Sequence, residues 1–318
     1  MGGILTLTMN PTLDIGLGVE RLVPGQKLRS DTVRREPGGG GINVARGIKR
    51  LGGEVCALFA GDDVMGSQLQ TLLEERSVPA RRVPIRGVVR EGISVWVREQ
   101  EALFHFVMPG PELSDDEARR VLDAVLDQEP CPDWLVASGS LPPGVDDEFY
   151  ARLARAARER DIRFVLDSHG APLRAALRER SFLVKCNRRE FAALVEADEP
   201  NAAEVRELAR GLAAESDLRA LVITLGADGA LLTTRDDQVG FRPPRVEPQS
   251  PVGAGDSFVA ACVYELAGGG TLRAAVQSGV AGAAAAVKTP GTELFELEDY
   301  RRIRERTEEY TDTEGEPA

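Results

Sequence analysis

The chain has 318 residues, 42% hydrophobic and 28% charged, which suits one large α/β domain with an appendage and excludes disorder of the whole. A formal net charge of -12 excludes unspecific binding to nucleic acid or to an anionic membrane surface, so an anionic ligand must be met by a few placed cations. Cys56, Cys131, Cys186 and Cys262 lack C-x-x-C spacing and only His105 and His169 occur, pointing to reduced, buried thiols in a cytoplasmic protein and away from a His-based zinc site.

The first predicted strand covers residues 4–9, with no basic leader before it. It runs into Asn10-Pro11-Thr12-Leu13-Asp14, which puts Asp14 just past a strand's carboxyl end, where open α/β sheets bind ligands. A carboxylate there can grip hydroxyls or simply make a turn after Pro11. Residues 15–35 then alternate weakly through Leu17, Val19, Leu22, Leu28 and Val33, and carry Lys27 and Arg29. A similar pattern returns at residues 92–98 and 102–108. Both segments interrupt a regular β/α alternation, so they are expected to form a small second sheet over the site. Apolar residues on both of its faces would make it a dimer interface as well as a lid.

Pro37-Gly38-Gly39-Gly40-Gly41-Ile42-Asn43 is a glycine run opening a helix whose apolar face is Val44, Ile48 and Leu51. Such a run brings backbone N–H groups close to a ligand, and Asn43 on the first turn would face it. The spacing is not that of the dinucleotide fingerprint, and no Lys follows a Gly, so the run is not a P-loop. A plain linker would contain more Ser and would not lead straight into a helix.

Alternation resumes with a strand at 55–60, helices at 64–76 and 114–126, and a strand at 134–137 that delivers Ser138-Gly139-Ser140-Leu141-Pro142-Pro143-Gly144. A helix at 147–160 precedes a strand at 163–166 that ends in Asp167 and Ser168. His169 beside them reads as a surface residue in a Gly-flanked loop. The strand at 182–184 delivers Lys185, which could meet a nucleotide phosphate. Asn187 and Glu190 open the next helix; they could orient a hydrated Mg²⁺ or merely belong to a solvated helix face. The strand at 220–224 leads into a glycine turn with Gly226 and Gly229. Helices are expected at 271–287 and 297–308, with a frayed acidic tail at 311–318. The longest apolar stretch, around 258–287, is broken by Glu265 and Arg273, so no membrane span is predicted.

The stretch Ser250-Pro251-Val252-Gly253-Ala254-Gly255-Asp256-Ser257 organises the rest. Gly253 and Gly255 allow a tight turn whose N–H groups can hold an anion, and the apolar helix beyond adds the positive end of its dipole. Asp256 could take a proton from an attacking hydroxyl while those amides hold charge on a transferring phosphoryl group; alternatively it only caps the helix.

Gly-Ala-Gly-Asp before this helix, Ser-Gly-Ser-Leu-Pro-Pro-Gly, the glycine run and the turn at Gly226 resemble the ribokinase-like, PfkB-type carbohydrate kinases, with matches in order from Asp14 to Gly291. Gln26-Lys27-Leu28-Arg29, the Gly38–Gly41 run without Lys, Phe106-Val107-Met108-Pro109-Gly110 and Gln249 to Asp256 are most similar to the bacterial minor-type 6-phosphofructokinases. The resemblance implies a three-layer α/β/α core with a mostly parallel central sheet plus a small β-sheet lid. It divides the chain into a core of residues 1–14, 36–87 and 110–310, and a lid of residues 15–35 and 88–109.

It implies that Asp256 is the base and that Gly253, Ala254 and Gly255 supply the anion-holding amides. Sugar contacts would come from Asp14, Gly39, Gly40, Asn43, Ser140 and Asp167, with Lys27, Arg29 and Arg90 as cations for the sugar's own phosphate. Lys185, Asn187, Glu190, Thr224, Gly226 and Gly229 would serve ATP with its Mg²⁺. Carbonyls of Ser250, Val252, Ala286, Thr289 and Gly291 would hold K⁺. Relatives often have Arg in the slot of His105, Pro in that of Cys186 and Thr in that of Pro251. The implied reaction is ATP-dependent phosphorylation of the 1-hydroxyl of fructose 6-phosphate by a homodimer. The alternatives are a tagatose-6-phosphate kinase, a 1-phosphofructokinase, or a sugar-phosphate sensor without catalysis.

Overall fold

The structure, a computed structural model, describes residues 3–289 and 293–311. In chain order the first half contains β1 (Ile4–Thr8), β2 (Thr12–Val19), β3 (Thr32–Gly38), α1 (Gly40–Arg50), β4 (Val55–Gly61), α2 (Met65–Glu75), β5 (Ala80–Pro84), β6 (Arg90–Val97), β7 (Ala102–Val107), α3 (Asp115–Leu126) and β8 (Trp134–Ser138). The second half contains α4 (Phe149–Arg158), β9 (Arg163–Asp167), α5 (Gly170–Ala176), β10 (Ser181–Asn187), α6 (Arg188–Leu194), α7 (Ala202–Glu215), β11 (Leu218–Thr224), β12 (Ala230–Thr233) and β13 (Gln238–Arg242). It closes with α8 (Ala254–Ala267), α9 (Leu272–Ala286), α10 (Leu297–Glu305) and β14 (Glu308–Tyr310).

Strands buried on both faces read as continuous apolar runs, and Ile-Leu-Thr-Leu-Thr of β1 is wholly buried. Their period of two sends alternate side chains into two separate cores. Ile4, Val55, Ala57, Trp134 and Val136 pack with α1, α8 and α9 on one side. Leu5, Leu7, Leu58, Leu135 and Ala137 pack with α3, α4, α5 and α7 on the other. The result is the expected α/β/α sandwich. Among the described residues its sheet has the order β14-β13-β12-β11-β10-β9-β8-β1-β4-β5, parallel from β5 to β11 and antiparallel beyond. The chain winds outward in both directions from β1 and β8, and the crevice at their carboxyl ends is where such a sheet accepts a ligand.

A second, four-stranded sheet has the order β3-β2-β6-β7, with β2 and β6 parallel and the outer pairs antiparallel. It begins at Thr12, earlier than the pattern of residues 15–35 suggests, because Asp14 already pairs with Glu36 and Gly92. Asp14 therefore sits on a strand of the small sheet rather than in a turn after β1. The helix expected at 297–308 stops at Glu305, and Glu308–Tyr310 instead pairs with β13 as an edge strand. Lys185 and Asn187 lie within β10, which continues past the expected end at 184. Of the four cysteines, Cys186 and Cys262 are buried, whereas Cys131 is exposed and Cys56 half-buried; all four are free. Residues 312–318 of the expected tail lie outside the described residues. Among the described residues no helix is long and apolar enough to cross a membrane.

Candidate active site

The cleft between the two sheets has a volume of about 310 Å³ and Asp256 at its floor. Gly253 precedes α8 at φ 78, a left-handed conformation that a side chain would strain, and no side chain caps this helix end. The Ala254 amide donates to Pro251 O at 3.4 Å and the Ser257 amide to Gly253 O at 2.9 Å, so the amides of Gly255 and Asp256 lie ahead of the helical ladder and can face an anion. Burial, and the nearby charge of Asp167, push the Asp256 carboxyl up to about 6, against the pull of Asn43, Lys185 and Ser138. A carboxylate with that pKa is ionised at neutral pH and basic enough to take a proton from a hydroxyl in a transition state.

The glycine run makes one wall by close approach. A Cβ on Gly38 would lie 2.1 Å from Asp14 Oδ2, one on Gly40 2.3 Å from Ser138 Oγ, and one on Gly41 2.4 Å from the Leu7 carbonyl. Gly39, at φ 107, turns the chain from the small sheet into α1. The first turn of α1 then delivers Asn43, whose Nδ2 donates to Asp256 Oδ2 at 2.9 Å. Behind it lies Arg46, buried and donating to Asn43 Oδ1, Pro37 O and Glu36 Oε2.

The carboxyl ends of β8, β9 and β10 supply Ser138, Asp167 and Lys185. Ser138 Oγ lies 3.4 Å from Asp167 Oδ2 and 3.5 Å from Asp256 Oδ1. Lys185 Nζ donates to Asp167 Oδ1 at 3.0 Å, and a Cβ on Gly255 would lie 3.0 Å from that ammonium. Burial opposes the charge on Lys185, but Asp167, Glu190 and Asp256 together hold its pKa above the ordinary value. The floor thus combines one fixed cation, a helix N-terminus and two carboxylates, Asp167 and Asp256, within one small volume.

The small sheet closes the opposite wall with Asp14, Arg90 and His105. Asp14 is pushed up to about 6 by burial, against the nearby Thr12 hydroxyl and the charges of Arg46 and Arg90. Arg90 donates to Asn10 O at 3.2 Å and Met108 O at 3.4 Å, which fixes its guanidinium. His105 Nδ1 is 2.8 Å from Ser94 Oγ, leaving Nε2 for a ligand. His169, read as a surface residue, is exposed at the cleft rim.

Of the predicted residues, Asp14, Gly39, Gly40, Asn43, Arg90, Asp167, Lys185, Glu190, Val252, Gly253, Gly255 and Asp256 line this cleft. Ala254 does not line it but is the first residue of α8. Lys27 and Arg29 are exposed in the connection between β2 and β3 and do not reach the cleft of their own chain. Ser140 turns away to accept from Asn10 Nδ2 at 3.2 Å, because Gly139 takes φ 108; Ser138 faces the cleft in its place. Asn187 and Glu190 form a reciprocal capping box on α6, Asn187 Oδ1 accepting from the Glu190 amide and Glu190 Oε2 from the Asn187 amide. Thr224, Gly226 and Gly229 lie at the same sheet edge outside the cleft, and a Cβ on Gly229 would lie 1.8 Å from Phe241 O. The amides of Gln249 and Ser250 donate to Val287 O, and the Thr289 hydroxyl to Ala286 O, bringing the segments of Ser250, Val252, Ala286 and Thr289 together. Gly291 lies outside the described residues.

The sequence does not single out Arg46; it presents Ser138 only as one of two hydroxyls at a strand's end, and His105 only as standing in a slot where relatives often have Arg. Ser138 had a signal, as the last residue of a strand; Arg46 had none, since a basic residue on a helix usually points to solvent.

Residues 9–299 match the pfkB family carbohydrate kinase profile. The chain is 39% identical over 301 residues to the ATP-dependent 6-phosphofructokinase isozyme 2 of Escherichia coli, covering 94% of this chain and 97% of that protein. It is 38% identical over 309 residues to the corresponding isozyme 2 of Mycobacterium tuberculosis, covering 97% and 91%. The crystal structure of phosphofructokinase-2 from Escherichia coli in complex with potassium superposes with a TM-score of 0.91 over 96% of this chain and 99% of that one, at 38% identity. With nearly all of its length matched, fold and sequence agree, and the chain belongs to the pfkB family of carbohydrate kinases.

Proposed function

We propose that this chain transfers the γ-phosphoryl group of ATP to the 1-hydroxyl of fructose 6-phosphate, giving fructose 1,6-bisphosphate and ADP. The observation that carries the reading is Asp256 on the first turn of an uncapped helix, with its carboxyl raised to about 6 and Lys185 within reach of the same amides. The similar proteins of Escherichia coli and Mycobacterium tuberculosis, both ATP-dependent 6-phosphofructokinases, support the choice of substrates.

In this mechanism the sugar lies between the walls, its hydroxyls on Asp14 and Asn43 and its phosphate toward Arg90 and His105. As the 1-oxygen attacks the γ-phosphorus in line, its proton passes to Asp256 and the bond to the β-γ bridging oxygen breaks. The amides at Gly253, Ala254 and Gly255, with Lys185, hold the charge on the phosphoryl oxygens. Closure of the small sheet as a lid excludes water, the competing acceptor. Mg²⁺ would arrive on the nucleotide phosphates and neutralise part of their charge, since no group of three or more His, Cys, Asp or Glu is placed to hold a metal among the described residues. The Asn187–Glu190 capping box would present the remaining polar atoms of the pair to the ion's water shell. Ser250, Val252, Ala286 and Thr289 offer carbonyls and hydroxyls without a carboxylate, a donor set that fits K⁺ better than a divalent ion.

In the same reading, residues 15–35 and 88–109 act as the lid, and the lid pairs with that of a second copy. Leu22, Leu28, Val33, Trp96, Phe106 and Val107 are large and exposed there. Lys27 and Arg29 serve the sugar phosphate only if such pairing brings them to a cleft.

The test is ADP release with ATP and Mg²⁺, with and without K⁺, against fructose 6-phosphate, fructose 1-phosphate, tagatose 6-phosphate and ribose. Fructose 6-phosphate is expected to give the highest kcat/KM; a preference for an unphosphorylated sugar overturns the phosphate assignments. Asp256→Asn is expected to keep the wild-type melting temperature and lose about a thousandfold or more in kcat. Near-normal turnover in that variant would remove the base from the mechanism.

A further inference from the structure

The amide that touches Asp256 has its orientation decided by a buried side chain outside the cleft. Arg46, 7% exposed, donates from Nη1 to Asn43 Oδ1 and Pro37 O, both at 3.0 Å, and from Nη2 to Glu36 Oε2 at 2.9 Å. A guanidinium has donors only, so the Asn43 carbonyl must face it and the Asn43 NH₂ must face the other way, toward Asp256. An ionised carboxylate has acceptors only, so this orientation favours the form of Asp256 that takes a proton. Turned over, the same amide would present its oxygen to Asp256 and favour the protonated form, which is no base.

We propose that Arg46 is a positioning residue for phosphoryl transfer, locking the Asn43 amide so that its NH₂ faces the Asp256 carboxylate. The inference rests on the reading of Asp256 as the base. Glu36 and Pro37 belong to β3, so the lock runs from the small sheet through α1 to the floor of the cleft. The other titratable groups lining the cleft with Asp256 are Asp167, His169, Lys185 and Glu190 at the carboxyl ends of the main sheet, with Asp14, Arg90 and His105 across the cleft. None of them is hydrogen-bonded to Arg46, although its charge also lowers the pKa of the Asp14 carboxyl; the hydrogen-bonded route from Arg46 to Asp256 runs through Asn43.

The experiment measures kcat and KM from pH 5 to 9 for the wild type, Arg46→Met, Arg46→Lys, Asn43→Ala, the Asn43→Ala/Arg46→Met pair and Asp256→Asn, with the melting temperature of each. Arg46→Met is expected to move the acid limb of kcat up by about one pH unit, lowering kcat about fivefold at pH 6, with each KM changed less than about threefold. Arg46→Lys, which keeps a donor and a charge beside Glu36, is expected to move the limb in the same direction by about half as much. In the Asn43→Ala background, Arg46→Met is expected to leave the limb where Asn43→Ala alone puts it, whereas a merely structural arginine would act additively. An unmoved limb in folded Arg46→Met, or an equal further shift in the double variant, overturns the inference. Should Arg46→Met not fold, an unmoved limb in Arg46→Lys overturns it. Normal turnover by Asp256→Asn overturns the base and this inference with it; an inactive Asp256→Asn beside an unmoved Arg46→Met limb overturns this inference alone.

Discussion

His105 and Arg90 share one wall of the cleft but carry charge differently. Burial and the neighbouring Arg90 guanidinium lower the His105 pKa from its ordinary value, so the imidazole is neutral at pH 7 in the free protein. A phosphate dianion beside it favours the protonated ring, so binding takes up a proton and weakens as pH rises through the imidazole range. The KM for fructose 6-phosphate is therefore expected to rise several-fold between pH 6 and pH 8, read from initial rates at saturating ATP. His105→Arg, with a charge that does not titrate, should lower KM at pH 8 and flatten the profile. A wild-type KM that is flat over this range would show that the imidazole takes no part in holding the phosphate. A motif names such a residue type without naming its charge state, which depends on what packs around it.

At the scale of elements, the glycine run places α1 against the main sheet. Gly41 is helical and adopts an ordinary φ, so conformational freedom is not its role; a Cβ there would lie 2.4 Å from Leu7 O and 2.6 Å from Thr8 Oγ1. Gly41→Ala is expected to push α1 off β1 at a cost of about 1–3 kcal/mol or more, measured by urea unfolding. Because α1 carries Asn43, kcat should fall in the same variant. Unchanged stability would mean that the strand yields at no cost. The β/α alternation was legible because buried strands and amphipathic helices differ in period. Their ends were less so, since caps and pairing partners set them. Cys186 shows why: it is buried in β10 opposite Ile223, and a strand residue with an N–H lets β10 run on to Asn187. At the far end, β14 forms only because β13 offers an edge, and nothing local in Glu308–Tyr310 announces a strand.

Across the whole molecule, the small sheet leaves Val33 55% exposed and Phe106 54% exposed. Isolated apolar residues on a surface need no explanation, but Trp96, Phe106, Val107 and Val33 belong to one sheet. If that sheet pairs with its copy, light scattering should give about twice the 34.3 kDa of the chain, and Phe106→Asp with Val33→Asp should give 34.3 kDa. A wild-type mass of 34.3 kDa at micromolar concentration would dismiss the lid as an interface. Loss of activity on dissociation, recovered at higher concentration, would link pairing to the supply of Lys27 and Arg29.

The sequence by itself determined the layered α/β architecture, the interrupting small sheet and the order of the loops that meet at the carboxyl ends of the strands. Periodicity, glycine and proline placement are local properties, written into neighbouring residues. Which polar atoms face one another was decided only by the tertiary structure. Ser138 rather than Ser140 points at Asp256 because Gly139 turns the chain between them, Asn187 and Glu190 cap their own helix, and Arg46 reaches inward to the Asn43 amide. These arrangements join residues as far apart as Asn43 and Asp256, and their energies arise from desolvation and charge that exist only once the layers have closed over them.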